Sequence, residues 1–390
     1  MIKKSLLSLF FVLSIQTNGL CTTLNIIGWE TGGNSETDTV SGTVSVQTTV
    51  KNSGAYALQA NPTTTAVGFH RIKRPNSTTG TSGGFSVNTL YTRFYFRYAT
   101  KPASGDEEFC SFFQDSTTYK SSLRLNSSGN IVFYDSTATA IATGSTALAQ
   151  DTWYRIGAQT GTGAAGAFEI FIDGVSEISG TASQTTTGHG RVQFGKTTDR
   201  NSNTVDFFYD DVLISDSAVS GAGSVLNMKP DANGSTQQWT AGTNLSDFNE
   251  VDDIPPTAAT YVASTGSAGD VALFDLQSTG TVGISGTINA VKGWALPRED
   301  ISVTSSNSLR IRSNVTNNDT TGFNHFTSTT FIARVLDTDP DTSVAWTTGG
   351  LDALEVGSVE ANAVVMRLQD CGVMVDFTVA SRRRQGNLVS

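Results

Sequence analysis

"WYRIGAQTGTGAAGAFEIFIDGV", residues 153–175, contains two short runs of alternating side chains joined by a bridge rich in glycine and alanine. From Phe168 onwards every second residue is a large apolar one, while Glu169 and Asp173 fall on the opposite face. A period of two indicates a half-buried strand, because an amphipathic helix spaces its apolar residues by three and four. Asp173-Gly174 then precedes another alternating run and predicts a type I′ hairpin, whose two turn residues both need positive φ. The stretch therefore predicts neighbouring antiparallel strands.

The composition extends this prediction to the whole chain. The sequence has 390 residues, which favours two domains, and 38 glycines against only 8 prolines, with heavy use of Ser, Thr and Asn. Such usage is typical of many short strands joined by polar turns, so the predicted fold class is all-β. The net charge of −10 argues against a nucleic-acid partner. The basic cluster Arg382–Arg384 lies in a polar tail, residues 381–390, and is interpreted as a solvated chain end.

The N-terminal segment, residues 1–21, reads as a secretory signal. Two lysines precede an apolar stretch at 6–15, which is too short to span a bilayer. Cleavage is expected near Gly19 or Cys21. Lipidation of Cys21 is the alternative, against which stands the bulky Leu20 before it. No other segment is apolar enough to cross a membrane, so no transmembrane segment is predicted.

Six motifs of the first region occur in a characteristic order. They are GWETG (28–32), NSGAYALQ (52–59), SLRLNSSGNIVFYD (122–135), DTWYRIGAQ (151–159), FEIFIDGV (168–175) and FFYDDVLIS (207–215). In this order they resemble concanavalin A-like, laminin-G-type jelly rolls, notably those of bacteriophage virion proteins and secreted bacterial proteins. The resemblance implies a jelly-roll sandwich over residues 22–217, in which the first and last strands pair.

A polar segment, residues 218–224, is predicted to be a linker that few contacts cross. A second, smaller β-rich domain is predicted at 225–380. Its motifs are NEVDDIPP (249–256), LFDL (273–276), DPDTSVAWT (339–347) and LDALEVG (351–357). Together they resemble a C-terminal module common in phage tail and other virion structural proteins. Within it, Thr347 or Thr348 is predicted to cap a short helix that ends before Gly357.

The concanavalin-like superfamily includes glucanases and lyases, so the resemblance allows an enzyme. The Glu-x-Asp-x-x-Glu strand motif of its retaining glycosidases does not occur, and adjacent carboxylates such as those of "GDEEF" (105–109) would point to opposite faces of a strand. The three histidines, His70, His189 and His325, show no metal-binding spacing, and no Gly-x-Ser-x-Gly elbow exists. The protein is therefore predicted not to be an enzyme.

One metal site follows from the resemblance. In related jelly rolls the Glu of the first strand and the Asp of the last can help to hold a structural calcium ion, and the matching positions are Glu30 and Asp210. Calcium prefers six to eight oxygen ligands, which paired terminal strands can supply. The alternative is a buried turn held by hydrogen bonds without metal. A structural calcium ion is the one cofactor that the sequence suggests.

A site for glycans would need exposed aromatic platforms. Tyr119, in the loop-like stretch "DSTTYKSS" with Asp115 and Lys120 nearby, is the candidate ligand-binding residue. Five other aromatic residues in strand patterns are interpreted as core rather than platform: Trp29, Tyr91, Tyr95, Phe133 and Trp153.

The favoured functional hypothesis is a non-enzymatic structural or attachment protein of a phage particle, located in the virion, whose jelly roll binds surface glycans. Its partners would be other virion or tail proteins, or cell-surface glycans; a homo-oligomer is compatible with this role. The signal-like segment favours the alternative, a secreted bacterial adhesin or carbohydrate-binding protein. A glycan hydrolase or lyase is the third hypothesis.

Overall fold

The computed structural model describes residues 22–379, with the exception of 73–74, 76–83, 198–202, 220, 244–245, 300–304, 321 and 326–328. The signal-like segment at 1–21 and the basic tail at 381–390 therefore lie outside the described residues. The described chain is almost entirely β-structure, which confirms the predicted all-β class.

Residues 23–215 form the first sandwich. Its strands are β1 (Thr23–Ile27), β2 (Thr39–Gly42), β3 (Val44–Gln47), β4 (Ala57–Ala60), β5 (Gly68–Ile72), β6 (Leu90–Thr100), β7 (Asp106–Phe113), β8 (Tyr119–Asn126), β9 (Ile131–Tyr134), β10 (Ala140–Thr143), β11 (Tyr154–Thr160), β12 (Gly166–Ile172), β13 (Val175–Ala182), β14 (Arg191–Lys196) and β15 (Asp206–Ser215).

These strands make two antiparallel sheets. Sheet 1 has the order β13-β12-β11-β6-β15-β4-β3, with β1 paired to β15. Sheet 2 has the order β10-β9-β8-β7-β14-β5-β2. The pairing of Thr23 with Ser215 confirms the prediction that the first and last strands of the jelly roll are neighbours.

The predicted hairpin is present between β12 and β13. Asp173 and Gly174 have φ of 53° and 88°, as a type I′ turn requires. Along β12 the predicted inward residues Phe168 and Ile170 are buried, while Glu169 is half-buried on the other face. The local alternation therefore predicted both the turn and the orientation of the strand.

Aromatic rings join the two sheets across the core. Phe96 of sheet 1 stacks on Phe109 of sheet 2 with ring centroids 4.4 Å apart. Phe133 of sheet 2 stacks on Phe168 of sheet 1 at 3.9 Å. Such pairs contribute about 0.5–1.5 kcal/mol each beyond the burial of their area, so they help to fix how one sheet lies on the other.

Residues 224–378 form a second sandwich. Its strands are β16 (Ser224–Met228), β17 (Pro230–Gln237), β18 (Thr240–Ala241), β19 (Val262–Ala263), β20 (Val271–Leu276), β21 (Thr287–Glu299), β22 (Ser305–Ser313), β23 (Thr316–Asp319), β24 (Phe323–His325), β25 (Ile332–Leu336), β26 (Leu354–Glu360) and β27 (Met366–Thr378).

Two sheets and three short helical segments make up this sandwich. Sheet 3 has the order β18-β19-β27-β21-β25, with β16 on β27, and sheet 4 the order β17-β20-β26-β22-β23, with β24 on β22. The helices are α1 (Thr279–Val282) and α2 (Thr348–Asp352), with a 3₁₀ turn at Asp247–Glu250. Thr347 caps α2 through its side chain, as predicted. Nowhere in the described part of the chain is a helix long and apolar enough to cross a membrane.

The two sandwiches share a buried apolar cluster, so the expectation of few contacts across the linker is wrong. Its members come from both sandwiches: Ile26, Leu213, Val225, Ala290, Trp294, Leu296, Ala333 and Met374. Beside the cluster, the buried Lys292 donates a hydrogen bond to the carbonyl oxygen of Ile26 at 2.7 Å. The outward side chains of β1 and β15 are apolar at this end, and sheet 3 removes them from water.

Candidate functional site

A row of polar side chains crosses the outer face of sheet 2 over five neighbouring strands. Arg71 on β5 lies opposite Gln193 on β14, and Gln193 lies opposite Ser111 on β7. Ser111 pairs with Ser122 on β8, which pairs with Tyr134 on β9. We call Arg71, Gln193, Ser111, Ser122 and Tyr134 the polar row.

The polar row faces outward because its sequence neighbours face inward. Ile72, Val192, Phe112, Leu123 and Phe133 all belong to the apolar core of the sandwich. Successive side chains of a strand point to opposite faces, so burial of these residues sends the adjacent polar ones to the outer face.

Arg71 at one end of the row is held in place from several sides. Its Nε donates to Oε1 of Gln193 at 2.8 Å, and its Nη1 donates to the carbonyl oxygen of Ser116. Its guanidinium lies 4.6 Å from the ring centroid of Phe113. Desolvation, followed by the charge of Arg191, lowers the pKa of Arg71 from its ordinary value. Arginine nevertheless stays charged in proteins, so the row ends in a fixed cation.

Arg124 is held in the same way at the other end. Its guanidinium lies over the ring of Tyr134, 3.5 Å from the centroid, and its Nη1 contacts Oδ1 of Asp106 at 3.3 Å. The hydroxyl of Tyr134 also donates to the Asp106 carboxylate. These contacts place a second cation, an aromatic ring and a carboxylate side by side.

Three buried polar atoms on this face lack hydrogen-bond partners within the part of the chain that the structure describes. They are Oγ of Ser111, Nε2 of Gln193 and Nη2 of Arg124. Their residues are 0%, 0% and 3% exposed, respectively. An unsatisfied buried polar group costs about 1–3 kcal/mol, and native structures contain few of them. Three on one face leave hydrogen-bonding capacity there that the described chain does not use.

Tyr119, the predicted ligand-binding residue, is not an exposed loop residue. It begins β8, its hydroxyl lies 2.8 Å from Oγ of Ser122, and its ring meets Phe113 edge-on at 6.0 Å. Burial raises its pKa above the ordinary value. The polar part of "DSTTYKSS" misled the prediction, because the strand starts earlier than its composition suggests. The structure places Tyr119 beside the polar row, so a role in ligand binding stays a prediction.

Lys120 and Asp115, the two residues near Tyr119 in the sequence, make contacts elsewhere. Lys120 is buried and donates to the carbonyl oxygens of Thr185 and Thr187 at 3.0 and 2.6 Å, and desolvation lowers its pKa to about 8. Asp115 accepts from the amides of Thr117 and Thr118, both at 2.8 Å, and so closes its own loop. Neither side chain forms part of the polar row.

Adjacent carboxylates of "GDEEF" point to opposite faces of the strand, as predicted, but two that are not adjacent share a face. Glu107 contacts Nζ of Lys196 at 3.5 Å, whereas Asp106 and Glu108, two residues apart, share the outer face of sheet 2. Asp106 contacts Arg124, as described above, and Glu108 accepts a hydrogen bond from the hydroxyl of Thr197. The sequence argument considered only adjacent carboxylates and missed this pair.

Three of the five aromatic residues interpreted as core are not in it. Trp29 and Phe133 are buried in the core, but Tyr91, Tyr95 and Trp153 are half-buried and lie outside the core cluster. Tyr91 and Tyr95 alternate with the inward residues of β6 and therefore face outward.

The structure brings the predicted calcium residues, Glu30 and Asp210, to one loop. Both carboxylate oxygens of Glu30 accept from the amide of Ala55 at 3.0 Å. Oδ2 of Asp210 accepts from the amides of Asn52 and Ser53 at 2.7 and 3.1 Å. The loop therefore supplies the hydrogen bonds that the metal-free alternative requires.

Burial makes the charged forms of the carboxylates at this loop unfavourable. Desolvation is the main cause that raises the pKa of Glu30 to about 8 and that of Asp211 to about 6, and it raises the pKa of Asp210 as well. Among the described residues, no group of three or more His, Cys, Asp and Glu side chains is arranged to hold a metal ion. Calcium at Glu30 and Asp210 stays a prediction.

Sequence reasoning missed the polar row itself. A signal was present, since Gln193 and Arg124 each stand between two inward apolar residues of a strand, and Arg71 stands between the buried His70 and Ile72. What the sequence lacked was the order of the strands, which alone places these side chains side by side.

A family model described as the concanavalin A-like lectin/glucanases superfamily matches residues 98–223, which is less than half of the chain. It supports the predicted concanavalin A-like jelly roll; the resemblance of the second region to a phage virion module stays a prediction. No curated protein matches the sequence.

Several solved structures resemble the chain at low identity. An endo-β-1,4-glucuronan lyase from the fungus Trichoderma reesei is 14% identical, with a TM-score of 0.37, over 50% of this chain and 95% of the other. Domain 4 of the arabinanase AbnA from Geobacillus stearothermophilus is 12% identical, with a TM-score of 0.36, over 51% and 95%. A carbohydrate esterase from the Shiga toxin-encoding bacteriophage phi24B is 11% identical, with a TM-score of 0.35, over 50% and 98%. None of these values is high enough to assign a function.

Proposed function

We propose that this protein is a non-enzymatic attachment protein that binds glycans on the outer face of sheet 2. The observation that carries the proposal is the polar row, with unpartnered buried atoms on its members Ser111 and Gln193 and on the neighbouring Arg124. The matching family model, whose description names lectins and glucanases, supports a glycan as the ligand.

The chemistry of the polar row suits sugar hydroxyls. A hydroxyl both donates and accepts hydrogen bonds, and the row offers a serine hydroxyl, an amide and a guanidinium in sequence. The half-buried rings of Tyr119 and Tyr134 flank these groups and give apolar surface next to a polar tip. Because strands lie about 4.8 Å apart, the row extends across sheet 2 and fits an extended oligosaccharide better than a compact ligand.

The carboxylates of Asp106 and Glu108 both have hydrogen-bond partners, which supports glycan binding over glycan hydrolysis. Glycoside hydrolysis needs one carboxyl group as acid and a second as base or nucleophile. Here Asp106 contacts Arg124 and Tyr134, while Glu108 accepts from Thr197. A ligand held by Arg71 and Gln193 would therefore meet two carboxylates that already have partners.

The proposal also concerns where the protein acts, in a phage particle or on a bacterial surface. A phage particle is favoured by the motif resemblances of both regions, with the jelly roll facing outward and the second sandwich contacting other virion proteins. A secreted bacterial adhesin is the alternative, which the signal-like segment at 1–21 favours. Tail or capsid genes next to this gene would support the first setting, and a secretion or surface-polysaccharide locus the second.

The test is a glycan array followed by titration calorimetry with the best oligosaccharide. We expect Arg71→Ala to weaken binding by about 10- to 100-fold, because hydrogen bonds to charged groups contribute about 1.5–3 kcal/mol. Ser111→Ala should weaken binding more mildly while leaving the fold intact, since the Ser111 hydroxyl has no partner to lose. Arg310→Ala is the matched control, because it removes an arginine paired with Asp319 on the second sandwich.

Two outcomes would contradict the proposal. Equal affinity of the wild-type protein, Arg71→Ala and Ser111→Ala would remove the polar row from glycan binding. Release of reducing ends or unsaturated sugars from the bound oligosaccharide, abolished by Asp106→Asn or Glu108→Gln, would show a hydrolase or lyase instead.

A further inference from the structure

A cleft lies on the outer face of sheet 1, on the opposite side of the sandwich from the polar row. Its volume is ≈ 370 Å³, and residues 218–219 and 221 form one of its walls. Ligand pockets in proteins range over about 300–1,000 Å³, so the cleft has room for one small ligand. Nothing in the proposed role of sheet 2 uses it.

The floor of the cleft is a glycine. Gly157 on β11 lies opposite Arg93 on β6 and opposite Phe171 on β12. Its neighbour Ile156 faces the core, so the side chain that would fill the outer face at this point is simply missing. A Cβ atom added to Gly157 would lie only 3.3 Å from Cβ of Phe171. The depression is therefore encoded by the sequence at one position.

The neighbouring cross-strand row supplies an aromatic and two polar groups. Gln159 lies opposite Tyr91 on one side and Glu169 on the other, and all three side chains are half-buried. Together with the half-buried ring of Phe171, they line the cleft. Aromatic faces offer apolar surface to the C–H side of a ring ligand, while the amide and the carboxylate can bond its hydroxyls.

Two arginines complete the lining. Arg155 has no hydrogen bond or ion pair of its guanidinium within the described residues, and its Nη2 would lie 2.3 Å from a Cβ atom built on Gly174. Arg93 is 2% exposed and forms an ion pair with Asp376, yet its Nε has no partner among the residues that the structure describes. The half-buried Arg155 therefore offers donors to a ligand, whereas Arg93 is covered.

The charges of the lining balance. Asp376 neutralises Arg93. The lining also holds one further cation, Arg155, and one carboxylate, Glu169, an oxygen of which accepts from Oγ of Ser176 at 2.7 Å. A carboxylate-bearing or phosphorylated ligand would meet Glu169 at close range, where like charges are unfavourable. The lining therefore favours an uncharged ligand with several hydroxyls.

We propose that this cleft binds one neutral sugar unit, as a second site separate from the polar row. The ring stacks against Tyr91 or Phe171, Glu169 accepts from its hydroxyls, and Arg155 and Gln159 donate to them. Because residues 218–219 form a wall, an occupied cleft also ties the segment between the two sandwiches to sheet 1.

The experiment is saturation-transfer NMR on the full chain with D-glucose, D-galactose and D-mannose, and with D-glucuronate as a charged comparison. At least one neutral sugar should bind saturably. Arg155→Ala and Glu169→Ala should each weaken that binding about tenfold or more, because each removes a charged hydrogen-bonding partner of the sugar hydroxyls. Arg97→Ala is the matched control, since Arg97 lies further along the same face of β6, paired with Asp151 outside the cleft.

The outcomes separate this site from the proposed function. Binding that survives Arg71→Ala but not Arg155→Ala supports the cleft, whatever the polar row does. Absence of saturable binding by all three neutral sugars overturns the proposal. So does binding that Arg155→Ala and Glu169→Ala leave unchanged, that Arg71→Ala abolishes, or that is tighter for glucuronate than for every neutral sugar.

Discussion

His70 shows at the scale of one residue how burial makes a side chain sensitive to pH. Its Nδ1 accepts a hydrogen bond from Nε1 of Trp29 at 3.1 Å, its Nε2 is buried without a partner in the described chain, and desolvation lowers its pKa from 6.5 to about 4. The folded protein thus holds a neutral imidazole that the unfolded chain protonates below pH 6.5. This stabilisation is fully present above pH 6.5 and is lost as the pH falls towards 4.

Glu30 and Asp211, whose pKa values burial raises, stabilise the folded protein as the pH falls. Against them, we expect His70 to lower the free energy of unfolding by up to about 3 kcal/mol between pH 6.5 and pH 4. His189, whose pKa burial lowers to about 3, adds to the fall in the same direction. His70→Asn keeps an acceptor near Trp29 and should be less stable than the wild-type protein at pH 7. The difference between the two free energies of unfolding should shrink as the pH falls towards 4, because the variant lacks the contribution of His70. Urea unfolding at several pH values measures this; parallel curves for the two proteins would contradict it.

The hairpin of β12 and β13 shows how far one element is determined locally. Gly174, at φ 88°, has a conformation that costs other residues about 1–2 kcal/mol. Gly174→Ala should therefore destabilise the protein by about that amount, measured as the shift of the urea midpoint at unchanged slope. Gly33→Ala is the control, because nothing lies within 4 Å of its added Cβ atom; a similar loss in both variants would show that the turn conformation is not the cause.

At the scale of the whole molecule, the buried ion pair of Arg93 and Asp376 joins the two sandwiches. Both side chains are almost fully buried, at 2% and 0% exposure. Removal of one partner from a buried pair typically costs about 3–5 kcal/mol, since the other charge is left uncompensated. We expect Asp376→Ala to lower the global free energy of unfolding by that order.

The double variant Arg93→Met with Asp376→Ala should recover much of the loss, because it leaves no unpaired charge. Calorimetric melting of the wild-type protein and the variants gives the measurement. If Asp376→Ala melted like the wild-type protein, the pair would not couple the two sandwiches.

Much of the fold could be predicted because its signals are local. The alternation of Phe168, Ile170 and Ile172, the Asp173-Gly174 turn and the Thr347 cap each depend on a few consecutive residues, and each prediction is confirmed. Strand orientation follows from the same alternation, since one face must leave water. The all-β class, the hairpin and the inward face of β12 therefore follow from local sequence alone.

Which outward side chains become neighbours depends on the three-dimensional arrangement of the strands. Arg71 and Gln193 lie more than a hundred positions apart and meet because β5 pairs with β14; Arg155 and Glu169 share a cleft because Gly157 leaves its floor open between them. The contact between the sandwiches likewise needed the ends of β1 and β15 to meet sheet 3. The alternation of side chains predicts on which face of a strand each residue lies. The order of the strands depends on long-range packing, which no short stretch of sequence specifies.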